Sequence, residues 1–133
     1  MSLMVLLVFI VGLIAVKARF SNVKKGKVNG KYFKLMEGGD IPEIIIKTTR
    51  NFNNQFEIPV LFYVVCTLYI SLGLENSFSL IFAWLFVVFR YFHSYIHSYI
   101  HLTYNHILHR SFVYWGAFIC VMVLWVNLIA NKL

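Results

Sequence analysis

From Ser111 to Ala130 the chain carries no charged side chain, and no Asp or Glu occurs anywhere from Phe78 to Leu133. At about 1.5 Å per residue, a helix over such a run approaches the ~30 Å of hydrocarbon in a bilayer. Few structures can place an uninterrupted apolar run in hydrocarbon, because every backbone N–H and C=O must find its partner inside the segment. A helix does so. Comparable apolar runs occupy Met1–Val16, Val60–Cys66 and Phe78–Phe89. Hydrophobic residues make up 60% of the 133, and a soluble domain of this size would leave too much of that surface in water. The patterning therefore predicts an all-α, integral membrane four-helix bundle in contact with the lipid bilayer. It forms a single domain over 1–133, with spans at about 2–20, 42–73, 77–105 and 111–130.

The formal charge of +7 is unevenly placed. Lys17, Arg19, Lys24, Lys25, Lys27, Lys31 and Lys34 all fall in or beside the first connection. This is a topology signal rather than a nucleic-acid patch, since the cluster lies between apolar segments and lacks an aromatic stacking platform. The first and third connections are the basic ones, so loops 21–40 and 106–110 of this multi-pass protein are expected on the cytoplasmic side, with both termini opposite. Asn29-Gly30 and Gly38-Gly39 mark the first of them as a mobile polar loop. Without a basic stretch before it, the first span reads as uncleaved rather than as a signal peptide. Cys66 and Cys120 lie inside apolar runs and read as core fillers.

Two stretches break the apolar pattern. The second helix is expected to start near Pro42, with Asp40 as its cap, and to run to about Leu72, kinked at Pro59. Along it, Arg50, Asn54 and Glu57 fall at i, i+4 and i+7, one face of a helix. An ionised side chain near or in hydrocarbon costs roughly 3 kcal/mol or more, so this face needs a partner. It is either a structural clamp or a polar ligand site. On the third helix, Arg90, His93, His97, His101 and Asn105 form a polar stripe, extended by two successive copies of His-Ser-Tyr-Ile. The spacing of the histidines suits two imidazoles on adjacent turns, but with no carboxylate in that half of the chain to complete or orient a site, no metal is expected. Hydrogen bonding between helices and contact with a polar ligand both remain open for the stripe.

Four short-looped spans, Arg50-x-x-x-Asn54-x-x-Glu57 on the second, Arg90-x-x-His93 on the third and Arg110 opening the fourth together resemble the MAPEG family, membrane-associated proteins in eicosanoid and glutathione metabolism. The resemblance spans nearly the whole chain. It implies a homotrimer with glutathione, as cosubstrate, at each subunit interface toward the cytoplasm. Arg50, Asn54 and Glu57 would then face glutathione, which offers two carboxylates to arginines and an ammonium to Glu57. Arg90 would join them at the ligand; counting forward from it selects His93 and His97 as further ligand contacts, while counting back from Arg110 selects His97 and His101. Arg110 resembles the arginine that stabilises the glutathione thiolate in catalytic members, and Ser111 follows it as in one prostaglandin-synthase branch. The duplicated His-Ser-Tyr-Ile, with histidines where catalytic members carry tyrosines, is closer to a bacterial branch of MAPEG-like proteins and implies a bacterial inner membrane. The expected function is a glutathione-dependent transferase or peroxidase acting on a lipophilic small molecule, with no nucleic acid involved. The alternative is a non-catalytic trimer that uses the same polar face for assembly or for another anionic ligand.

Overall fold

The computed structural model describes residues 1–35, 41–99 and 104–131, and all regular structure among them is helical. In chain order the helices are α1 (Ser2–Lys24), a single turn α2 (Tyr32–Leu35), α3 (Glu43–Asn53), α4 (Ile58–Leu72), α5 (Ser77–Tyr99) and α6 (Tyr104–Ala130). Four segments are long and apolar enough to cross a membrane: α1, the α3–α4 unit from Glu43 to Leu72, α5 from Ser77 to His97, and α6 from Leu108 to Ala130.

Each turn has a local cause. Gly73 ends α4 in the left-handed conformation at φ 61°, with its N–H on the Ile70 carbonyl and the Leu74 N–H on the Tyr69 carbonyl. That pair of bonds is the Schellman arrangement, which favours glycine because a Cβ is disfavoured at positive φ. At the start of α5, Asn76 and Ser79 cap each other: the Ser79 N–H donates to Asn76 Oδ1 at 2.9 Å and the Asn76 N–H to Ser79 Oγ at 3.0 Å. Two orphan donors are satisfied reciprocally. In the second segment, α3 begins at Glu43, whose carboxylate meets Lys47 at 2.7 Å. Asp40, the expected cap, lies outside the described residues. The fourth helix begins at Tyr104 rather than Ser111, so residues 106–110 form its first turns and not a loop. Their polarity suggests a connection from sequence alone, but the backbone there is helical.

One row of core residues recurs at three and four residue steps on α1 and α4, and α5 and α6 add their own buried residues to the same cluster. Met4, Leu7 and Val11 of α1 meet Phe62, Val65 and Tyr69 of α4, Phe86 and Val87 of α5, and Ala117, Cys120, Val121 and Leu124 of α6. Phe62 and Phe86 stack at 4.2 Å between ring centroids. The rest of the apolar surface faces outward: only 22% of the most apolar window of α1 is buried, and Phe9, Leu13 and Phe112 are 67%, 70% and 77% exposed. Hydrocarbon is the solvent for which such a surface is stable. The four spans alternate in direction, so the end of α1, the start of α3, the end of α5 and the start of α6 meet at one end of the bundle, the lysine-rich one.

Candidate functional site

The site grows from an interruption in the second segment. Proline at position 59 has no N–H for the Gln55 carbonyl, and its ring would collide with that carbonyl in a continuous helix. The chain accordingly tightens into a 3-10 turn over Asn54–Phe56, passes Glu57 at φ −96°, ψ −106°, and restarts as α4 at Ile58. The expected kink at Pro59 is thus a full interruption, and the segment is two helices meeting at Glu57. Arg50, Asn54 and Glu57 nonetheless come together, because the interruption lies between them and turns Glu57 to the same hollow.

That hollow is a cavity of about 390 Å³, within the range of small-molecule sites. The first wall is Arg50, Asn53, Asn54 and Glu57. Opposite it, α5 supplies His93 and His97, and α6 supplies Arg110, Ser111, Tyr114 and Trp115. The charged lining is two guanidiniums and one carboxylate, a net of one positive charge. Arg50 and Glu57 are exposed at the mouth, whereas His93 and His97 form the buried floor. His93 Nδ1 lies 3.4 Å from the Arg110 carbonyl. A carbonyl can only accept, so this contact makes Nδ1 the protonated nitrogen and leaves Nε2 an acceptor. His93 Nε2 and His97 Nδ1 have no partner among the described residues. The His93 ring lies 5.8 Å from that of His97 and 5.6 Å from that of Tyr114, so α5 and α6 present one continuous ring-lined wall.

Behind this wall stands a polar strut. Arg90 is fully buried and does not line the cavity; its Nη2 donates to the Asn54 carbonyl at 2.8 Å, clamping the interrupted turn from α5. An arginine expected at the ligand therefore holds the backbone that carries the cavity-lining residues. Beside it, Asn51 Nδ2 donates to the Ser94 carbonyl at 3.1 Å, and Gln55 Nε2 donates to Ser94 Oγ at 3.0 Å. Bonds between helices at this level thus run through amides and the first serine of the duplicated His-Ser-Tyr-Ile, while His93 reaches across to α6. His101 lies outside the described residues. Among the described residues, no three His, Cys, Asp or Glu side chains gather to hold a metal ion.

Asn53, Tyr114 and Trp115 also line the cavity and were not anticipated. Tyr114 is four residues after Arg110, and Trp115 four after Ser111, a same-face spacing in a helix. Treating 106–110 as a loop hid the first of these relations; the second lay within the expected span and was overlooked. The family profile described as "MAPEG family" matches residues 1–130 of the 133-residue chain. No curated protein and no solved structure matches it.

Proposed function

The chain belongs to the MAPEG family, an integral membrane family with glutathione-related members, and on that basis we propose that it is a glutathione-dependent transferase or peroxidase acting on lipophilic electrophiles. The observation that carries the proposal is the charge pattern of the cavity: Arg50, Glu57 and Arg110 line it together, offering one guanidinium to a glutathione carboxylate, a carboxylate to its ammonium and a second guanidinium to its thiolate.

In this reading, Arg50 holds a carboxylate and Glu57 the ammonium, with Asn53 and Asn54 available to the peptide groups. Arg110 and Ser111 receive the sulfur. The thiol proton passes to water, and a free thiol of pKa near 8.5 becomes a usable thiolate at neutral pH when a guanidinium stabilises the anion. The sulfur then bonds to the electrophilic centre, and the displaced electron pair leaves with the leaving group. Positioning and electrostatics are sufficient, and no protein nucleophile takes part. The electrophile arrives through the bilayer. A homotrimer, in which a second copy closes the open side of the cavity, completes the site, and the basic connection faces the cytoplasm of a bacterial inner membrane.

The test separates the two arginines. Arg50 contacts glutathione in ground and transition states alike, so Arg50→Ala raises KM with little change in kcat. Arg110→Ala lowers kcat toward a chloronitrobenzene and moves the activity profile to higher pH. A lost charge-assisted contact of about 2–3 kcal/mol corresponds to roughly 30-fold to 150-fold in either quantity. Glutathione binding is measured separately by calorimetry, and thiolate by its ultraviolet band. Binding without a thiolate band favours the non-catalytic alternative; no binding at all sinks both the ligand and the reaction.

A further inference from the structure

The connection after α1 is dense in positive charge and yet folded. Lys17, Lys24, Lys25, Lys27, Lys31 and Lys34 are all exposed, and no Asp or Glu precedes Glu37 in the sequence. Of the acidic residues described at this end, Glu43 is engaged by Lys47 at 2.7 Å. Like charges packed within a Debye length of about 8–10 Å repel one another, and blocks of them ordinarily stay extended.

Here the chain is instead tied down. The Lys25 N–H donates to the Ser21 carbonyl and the Lys27 N–H to the Asn22 carbonyl, Val28 is only 9% exposed, and the Lys31 N–H donates to Asn29 Oδ1 at 2.9 Å before the turn of α2. Arg19 fastens the platform from below: Nη2 donates to Thr49 Oγ1 at 3.1 Å, and its Cζ lies 5.8 Å from the centroid of the Phe33 ring. Compact folding of cations that meet no acidic side chain among the described residues of this segment calls for an anionic partner. The location identifies it, because the lysines follow directly on a helix long and apolar enough to span a membrane, and Phe20, 73% exposed, projects beside them from the last turns of that helix. The connection at the opposite end, between α4 and α5, carries Glu75 and no basic residue.

We propose that the segment from Lys17 to Lys34 is a binding platform for the acidic headgroups of the protein's own bilayer, engaged in one leaflet only. This inference is independent of glutathione. Juxtamembrane lysines contribute about fivefold in affinity each at an anionic surface, an effect that weakens with salt.

The test uses the full chain, stripped of lipid in a neutral detergent and titrated with mixed micelles of phosphatidylglycerol or phosphatidylcholine, with bound lipid counted by native mass spectrometry. Phosphatidylglycerol should bind at least tenfold more tightly, and the preference should shrink as salt is raised. Replacing Lys24, Lys25 and Lys27 together by Gln should weaken phosphatidylglycerol binding about 100-fold, with unchanged helix content by circular dichroism, and replacing the same three by Arg should preserve it. Equal binding of the two lipids, or a triple Gln variant indistinguishable from the parent, overturns the proposal. So does full displacement of the lipid by glycerol phosphate at matched concentration, which would assign the platform to a soluble phosphate.

Discussion

Arg90→Met is the substitution in which stability and ligand binding should part company. The parent arginine is fully buried in a membrane-spanning segment, donates one bond, 2.8 Å to the Asn54 carbonyl, and leaves Nε and Nη1 unpartnered among the described residues. Losing that bond costs about 1.5–3 kcal/mol, as for hydrogen bonds to charged groups. Against it stands the desolvation of an incompletely paired cation, several kcal/mol per ion, which methionine removes while filling a similar volume. Glu57, the carboxylate on the facing wall, is exposed and offsets only a fraction of that cost. The second effect is at least as large as the first, so the variant should unfold no earlier than the parent when SDS is titrated into dodecylmaltoside micelles. Glutathione affinity should nevertheless fall about tenfold, the equivalent of 1.4 kcal/mol, because Asn54 and Glu57 lose the strut that holds their backbone. A loss of 3–5 kcal/mol in stability would refute the reasoning, since that is the cost of breaking a buried pair and would mean that Arg90 has a charged partner.

Two further outcomes follow from packing and from the polar strut. A Cβ on Gly116 would lie 3.0–3.2 Å from three atoms of the Phe89 ring, so Gly116→Ala should cost about 1–3 kcal/mol of overpacking against about 1 kcal/mol of helix propensity gained; Phe89→Leu should relieve it, as read in a double-mutant cycle by thermal unfolding in detergent. Gln55→Leu and Ser94→Ala should each destabilise by about 1–3 kcal/mol, and their cycle should return a coupling of about 1 kcal/mol for the 3.0 Å bond between them; additivity would show that the bond contributes nothing.

Class, span count and the trio that lines one cavity were legible in the sequence because each rests on local physics. A charge-free run the length of the hydrocarbon can satisfy its backbone only as a helix, and Arg50, Asn54 and Glu57 share a face by spacing alone. Spacing also survived a sharper break than the kink expected at Pro59: the helix is interrupted there, yet the three residues still line one cavity. Tertiary structure decided the rest. Whether Arg90 meets a ligand or a carbonyl depends on how α5 lies against the interrupted turn, since an arginine satisfies either equally well in a sequence pattern. Only packing shows that Ser94 joins α5 to α3 while His93 turns toward α6, because both residues belong to one polar stripe whose period does not say which neighbour it faces. The start of α6 at Tyr104 was hidden for a related reason: polar residues at a helix end look like a loop until the backbone shows them helical, and with that turn went the relation of Tyr114 to Arg110. Local periodicity says which residues share a face; the contacts between helices determine what that face meets.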